Sequence, residues 1–354
     1  MEVTLVRSSP SDLGSDQFWV CDAPGVVPSR SSSTATAGGG NQQVTRRRPW
    51  SLVSSSTRAF FREARAIPGF SWFDGIHGYV YARWPNLYIG VAVGEHPMGR
   101  VVRPIARGIL AWFNGGSGGG SMDDGTGFAH TYHGKVVPLH QATQLVTVDE
   151  EIQVGDLEQV IPYARARDLV LKNPDHIAAL DCPCRASRQD PCLPLGVCLI
   201  IGEPFASFIV DHHPDRSRWI APEEAVRVLQ AEDERGHVHH AFFKDAMLDR
   251  FYAICNCCAC CCGAMQAHRT GVPMLAPSGY VARLDRSVCA ACRSCGEACQ
   301  FGAISFPDEF AHIDRASCMG CGVCVSQCPP EAISLFRDPA QGEPLDIRRL
   351  TTDG

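Results

Sequence analysis

Cys289-Ala290-Ala291-Cys292-Arg293-Ser294-Cys295-Gly296-Glu297-Ala298-Cys299 is followed, after eighteen residues, by Cys318-Met319-Gly320-Cys321-Gly322-Val323-Cys324-Val325-Ser326-Gln327-Cys328-Pro329. Each half reads Cys-x2-Cys-x2-Cys-x3-Cys. Three thiolates at x2 intervals can wrap a tight loop around one metal–sulfur centre, and small intervening residues let the backbone come close. The fourth Cys falls where the chain should turn into a short helix. Zinc and disulfides are the competing readings, because Cys-x2-Cys pairs also bind zinc. Four evenly spaced Cys, twice, fit an iron–sulfur ligand set better.

The repeat extends beyond the Cys. Phe301-Gly302-Ala303-Ile304-Ser305-Phe306 matches Pro330-Glu331-Ala332-Ile333-Ser334-Leu335 at the 29-residue offset that separates Cys289 from Cys318. A strand is expected over 280–285. The implied unit is a pseudo-twofold domain over 279–337, with motifs at about 279–309 and 310–338 and two β-ribbons and two short helices. These residues resemble the bacterial-type 2[4Fe–4S] ferredoxin family at all eight ligand positions. In the two-cluster arrangement the fourth Cys of each motif serves the other cluster. Cys289, Cys292, Cys295 and Cys328 are therefore assigned to one [4Fe–4S] cluster, and Cys318, Cys321, Cys324 and Cys299 to the second. One departure stands out: the second motif ends in Pro329, the first in Gln300. Pro fixes a turn and is not a ligand, so the departure bears on local access or potential.

Upstream lies a second concentration of Cys. Cys182-Pro183-Cys184-Arg185 precedes Cys192 and Cys198, and Cys255-Asn256-Cys257-Cys258-Ala259-Cys260-Cys261-Cys262 places six Cys in eight residues. Three readings stay open: a third iron–sulfur cluster, most simply on Cys182, Cys184, Cys192 and Cys198; a zinc or mixed Cys/His site; or thiols without metal. Cys255, Cys257, Cys258 and Cys260 are secondary ligand candidates, because adjacent side chains point in different directions and cannot all reach one centre. His237 and His239 would share a face if extended, yet both read first as ordinary polar residues, as does His77. The stretch from Tyr132-His133-Gly134-Lys135 through Cys182-Pro183-Cys184-Arg185 to Ile254-Cys255-Asn256-Cys257-Cys258 is similar to a group of uncharacterised bacterial 4Fe–4S-binding proteins with a Cys-rich module ahead of the ferredoxin domain. That resemblance implies redox work and no particular reaction.

The chain has 354 residues, 45% hydrophobic and 20% charged, which is enough for two or three domains with buried cores. The expected class is α+β: a mixed α/β Cys-rich domain over 130–278, then the dicluster domain. Residues 1–50 read as a disordered tail, 51–114 as an aromatic and basic segment, 115–129 as a flexible linker and 338–354 as a surface tail. Helices are expected over 57–68, 99–114, 156–173, 222–235 and 242–250, and extended chain over 75–85, 177–180 and 251–254. The basic amphipathic stretch 99–114 suits a membrane surface or a partner less well than packing on its own domain. A net charge of −6 gives no case for nucleic-acid binding. With nineteen Cys mostly in ligand spacings, no apolar leader and no run of roughly 18 apolar residues, a reducing cytoplasm without a transmembrane span is expected. The sequence thus points to an electron-transfer protein or subunit with a redox partner. The alternative is an oxidoreductase whose Cys/His site in 130–278 is fed by the clusters. The absence of a nucleotide-binding glycine fingerprint weighs against a self-contained flavin or nicotinamide enzyme.

Overall fold

The computed structural model describes residues 53–69, 71–93 and 129–350. Three helices come first: α1 (Ser55–Ala66), α2 (Trp72–Arg83) and α3 (Pro85–Val93). Next are β1 (Tyr132–Val136), α4 (Leu139–Val146), β2 (Ile152–Val154), β3 (Leu169–Leu171), β4 (Ile177–Leu180), α5 (Pro183–Ala186) and β5 (Cys198–Ile201). They are followed by α6 (Phe205–His212), β6 (Ser217–Ile220), α7 (Pro222–Glu234), β7 (Val238–Lys244), β8 (Arg250–Cys257), α8 (Gly263–Arg269) and β9 (Leu275–Ala276). Seven strands form one sheet in the order β6-β4-β5-β8-β7-β1-β9. Every pair is antiparallel except β1 with β9.

Helices cover this sheet on both sides. Phe60 of α1, Phe205 and Phe208 of α6, Phe242 and Met265 fill one face. Leu145 of α4, Leu169 and Leu171 of β3, Leu229 of α7, Phe243 and Phe251 fill the other. The interior strand β7 is buried at every position. A strand covered on both faces has no polar side to show, so its sequence loses the period-2 alternation that marks half-exposed strands. Residues 242–250, expected as a helix, are for this reason the end of β7, a turn and the start of β8. The turn is closed by Leu248 and Asp249, both with positive φ.

Three other expectations are corrected. Residues 75–85 are not extended but run through α2 to the start of α3: Ser71 and Asp74 form a reciprocal capping box, and Gly78 lets α2 press against the Ala246 carbonyl, where a Cβ would lie at 1.9 Å. Residues 156–173 are turns leading into β3, with positive φ at Asp156, Ala166 and Asn173. The segment after Arg337 is no surface tail: Leu345 and Ile347 are buried in the second core, and Lys135 donates to the Glu343 carbonyl at 2.8 Å. The expected strands over 177–180 and 251–254 and helices over 57–68 and 222–235 are present as β4, β8, α1 and α7. Residues 1–50, the 99–114 helix and nearly all of the 115–129 linker lie outside the described residues.

His133 of β1 illustrates the polar cost of this core. Its ring stacks on Tyr163 at 4.1 Å, and its Nδ1–H donates to the Ala129 carbonyl at 3.2 Å. Burial lowers its pKa from 6.5 to about 4. The unfolded chain therefore takes up a proton near pH 6.5 that the native state refuses until about pH 4. The stability this neutral ring carries is full above 6.5 and is lost as pH falls towards 4. His133→Phe should accordingly lose less stability than the parent between about pH 7 and 4.5. Urea midpoints at the two pH values check this, and equal losses in both proteins would refute it.

The C-terminal part contains β10 (Tyr280–Leu284), α9 (Ser294–Ala298), β11 (Ile304–Ser305), β12 (His312–Ile313), α10 (Val323–Ser326), β13 (Ile333–Arg337) and α11 (Ile347–Leu350). β10 pairs with β13 and β11 with β12, both antiparallel, giving two ribbons beside two short helices. The chain is thus α+β. No described helix is long and apolar enough to cross a membrane.

Candidate metal centres

The two Cys loops of the C-terminal part have the same backbone course. Ala291 and Arg293 in the first loop have positive φ, as do Gly320 and Gly322 at the corresponding positions of the second. Gly302 and Glu331, again corresponding, share the left-handed conformation. Each pair of positions lies 29 residues apart. The next amides match as well: Ala303 N–H donates to Cys299 Sγ at 3.3 Å, and Ala332 N–H to Cys328 Sγ at 3.2 Å. Such N–H···S bonds stabilise thiolate.

Each of two cavities collects four sulfurs. One is lined by Cys289, Cys292, Cys295 and Cys328 with Leu284 and Phe306. The other is lined by Cys299, Cys318, Cys321 and Cys324 with Ala282 and Leu335. Three Cys of each set come from one motif and the fourth from the other. Desolvation pushes the Cys321 thiol up to about 12 and that of Cys324 further. Thiolates there need a compensating positive charge, which iron supplies, and the rest of the Cys321–Cys324 cavity wall is apolar. The residues present therefore fit an iron–sulfur group. The two sets differ in access: Cys292 is exposed, with the Ser294 hydroxyl donating to it at 3.5 Å, whereas Cys318 and Cys324 are buried.

Gln300, where the first motif departs from the second, has a clear role. Its side-chain amide donates to the Gly236 carbonyl at 3.0 Å, and its Oε1 accepts from Ala259 N–H at 2.9 Å. A Pro at this position could make neither bond. The residue after Cys299 thus ties the ferredoxin-type part to the upstream Cys turn. Gln327 adds bonds to the Asp233 and Glu234 carbonyls. Gln300→Ala should weaken this attachment by about 1–3 kcal/mol while leaving iron and sulfide content unchanged. Hydrogen exchange at Ala259, together with iron analysis, checks both halves, and loss of iron would contradict the role.

The upstream Cys divide differently from the expected grouping. Cys182, Cys184 and Cys198 come together, but Cys192 does not join them. Cys182 contacts both Cys184 and Cys198, and Cys184 contacts Cys262. Cys198 Sγ lies 3.6 Å from Cys255 Sγ, and Cys262 Sγ lies 3.2 Å from Cys257 Sγ. Six sulfurs thus form a string, 255–198–182–184–262–257, along a cavity of about 70 Å³. Tyr81, Tyr132 and Tyr252 form part of its wall, with the Tyr81 and Tyr252 hydroxyls 2.7 Å apart. Contact with Cys184, aided by burial, pushes the Cys182 thiol up to about 12. Cys192 instead lies 3.2 Å from Cys260, and these two form a separate group with Cys258 and Cys261.

The period of two in β8 explains why Cys255 and Cys257 share a face. Cys261, Cys262 and the three tyrosines were not candidates from sequence: the Cys are part of a turn whose side chains diverge, and the tyrosines come from three distant elements. The histidines are structural. His237 pairs with Glu232 at 2.7 Å, His239 Nδ1 bonds Asn256 Oδ1 at 2.6 Å, and His77 bonds the Tyr88 hydroxyl at 2.7 Å. Arg185, between the two upstream Cys groups, is 1% exposed. It donates to Glu232 Oε2 and the Pro194 carbonyl, each at 2.6 Å, and to the Asn256 carbonyl at 2.9 Å. Burial alone would lower its pKa, but Glu232 more than offsets that and keeps the pair charged.

Residues 311–334 match the family model of the 4Fe-4S binding domain, which takes in Cys318, Cys321, Cys324 and Cys328. No curated protein matches the chain. The match and the Cys-rich region together identify an iron–sulfur binding protein with a 4Fe–4S domain near its C-terminus.

Proposed function

We propose that the protein is an electron carrier, or the electron-transfer subunit of a larger enzyme, with two [4Fe–4S] clusters and a third metal–sulfur centre in the six-sulfur chamber. The observation that carries this reading is the pair of cavities, each lined by three Cys of one motif and the fourth of the other. A bound [4Fe–4S] cluster supplies one-electron chemistry with little rearrangement, because its charge is spread over iron and sulfide. The chain's own part is to hold, shield and expose. Cys289, Cys292, Cys295 and Cys328 hold the centre nearer solvent, and the exposed edge at Cys292 is where a redox partner protein would approach. Cys299, Cys318, Cys321 and Cys324 hold the inner one, and Gln300 fixes it against the upstream region. Amides 303 and 332 stabilise thiolate at Cys299 and Cys328 and so tune potential. Cys182, Cys184, Cys198, Cys255, Cys257 and Cys262 enclose more space than one metal ion needs, which suits a polynuclear centre.

Frozen, anaerobic, dithionite-reduced protein should give EPR signals of two interacting reduced clusters. Silent protein that also lacks sulfide would remove this reading. One observation favours a second reading, an oxidoreductase with its own site: the three tyrosines give the chamber polar groups that a simple carrier does not need. Cys182→Ser/Cys184→Ser separates the two readings. Under the carrier reading it changes electron transfer only. Loss of a substrate turnover, with transfer through the C-terminal clusters intact, would favour the enzyme.

A further inference from the structure

We propose that Cys192, Cys258, Cys260 and Cys261 form a tetrathiolate site for a single soft divalent metal ion, Zn²⁺ or Fe²⁺, distinct in its ligands from the six-sulfur string, whose chamber it adjoins through Cys258 and Cys261, and from both ferredoxin-type sets. All four Sγ atoms lie within 4.8 Å of one another, with Cys192–Cys260 at 3.2 Å and Cys260–Cys261 at 3.8 Å. Four thiolates arranged tetrahedrally at about 2.3 Å from one ion are about 3.8 Å apart, so the spacing is that of a mononuclear site. A cubane places a separate iron beneath each thiolate and inorganic sulfide between the irons, which spreads the thiolates well beyond this. The eight ferredoxin-type Cys behave accordingly: among the described residues they form no group gathered so tightly. Tetrahedral S₄ coordination selects zinc or iron.

The site is built by two loops. Cys192 comes from the loop between α5 and β5, and the other three from the turn that joins β8 to α8, closed by Cys262 N–H donating to the Cys258 carbonyl at 3.0 Å. This turn resolves the six-Cys run. Cys255, Cys257 and Cys262 join the six-sulfur string, while Cys258, Cys260 and Cys261 gather around Cys192 at the chamber's edge. The turn is held from outside: Arg188 donates to the Cys261 carbonyl at 3.0 Å and to Gln266 at 2.8 Å, and Gln266 in turn donates to the Cys260 carbonyl at 2.9 Å. Four thiolates with one divalent ion carry two negative charges, and the Arg185 and Arg188 guanidinium groups lie close enough to offset part of them. Ala259, in the middle of the turn, bonds Gln300, so an ion here would brace the contact with the ferredoxin-type part. With this assignment the 18 cysteines between Cys182 and Cys328 fall into sets of eight, six and four. The inference is independent of the two-cluster reading, whose markers are sulfide and EPR signals, whereas this site holds a metal without sulfide.

The test uses the full chain, purified anaerobically, and compares zinc, iron and acid-labile sulfide in the parent, Cys192→Ser and Cys260→Ser. Each variant should lose one metal ion per chain, with sulfide and the EPR of the reduced clusters unchanged. Should the variants not fold, Co²⁺ exchange into the parent decides: absorption bands of tetrahedral thiolate-bound Co²⁺ are expected. Loss of sulfide together with the metal, no loss of metal, no such Co²⁺ spectrum, or a Cys192–Cys260 disulfide in the mass spectrum of the anaerobic parent would each overturn the assignment.

Discussion

Arg185→Met is expected to cost about 3–5 kcal/mol of stability. The guanidinium is buried with Glu232, and both side chains are 1% exposed. It also satisfies the carbonyls of Pro194 and Asn256, so it joins the Cys182–Cys198 loop to α7 and β8. Met fills much of its volume but leaves Glu232 buried, with the His237 ring and the exposed Arg235 as its remaining side-chain partners. The penalty comes mainly from that stranded carboxylate and less from the worth of the pair itself. The double change Arg185→Met/Glu232→Leu should therefore recover most of the loss, leaving the unmet carbonyls as the remainder. Urea midpoints of parent, single and double variants check this. A single variant within about 1 kcal/mol of the parent would show that the pair is not the tie described here.

Gly320→Ala is expected to abolish the centre at Cys299, Cys318, Cys321 and Cys324. Gly320 sits between two of those Cys with φ +63°, and a Cβ there would lie 2.1 Å from the Tyr280 carbonyl oxygen and 2.4 Å from Ser278 Oγ. Left-handed backbone costs an alanine only about 1–2 kcal/mol, so the clash with β10 decides the outcome. The loop must move, and Cys318 and Cys321 move with it. Gly302→Ala is the control: its φ is also positive, at +66°, but nothing lies within 4 Å of the added Cβ. That variant should pay only the backbone term and keep both clusters. Sulfide analysis distinguishes them, with a loss of about four sulfides per chain expected for Gly320→Ala and none for Gly302→Ala. Full sulfide in both would mean that the Cys318–Cys321 loop tolerates displacement.

The two halves of the molecule differ in how much their sequence reveals, and the reason is contact range. The ferredoxin-type Cys are set by a loop of a few residues, written twice, so spacing alone groups three of every four. The Cys192 site depends on two loops 68 residues apart meeting at Cys192 and Cys260, and no local pattern encodes that meeting. Cys182, Cys184 and Cys198 do lie together, whereas Cys192, near them in sequence, meets Cys260 instead. Strands β7 and β8 lost their alternation because both faces are covered. Helix α2 was hidden by its aromatic residues, although Ser71 and Asp74 do spell its cap. Leu345 and Ile347 were obscured by charged neighbours, and only the core they enter marks them as buried. Gln300 was visible as a departure from the repeat. Its meaning required the positions of Gly236 and Ala259.

Iron and acid-labile sulfide per chain, measured on anaerobically purified protein, test the central claim most directly. Two interleaved cubanes require at least about eight of each, with surplus sulfide assigned to the six-sulfur chamber and a single iron without sulfide to the Cys192 site. About four or fewer sulfides per chain would contradict the account, because one of the two cavities would then hold no cluster.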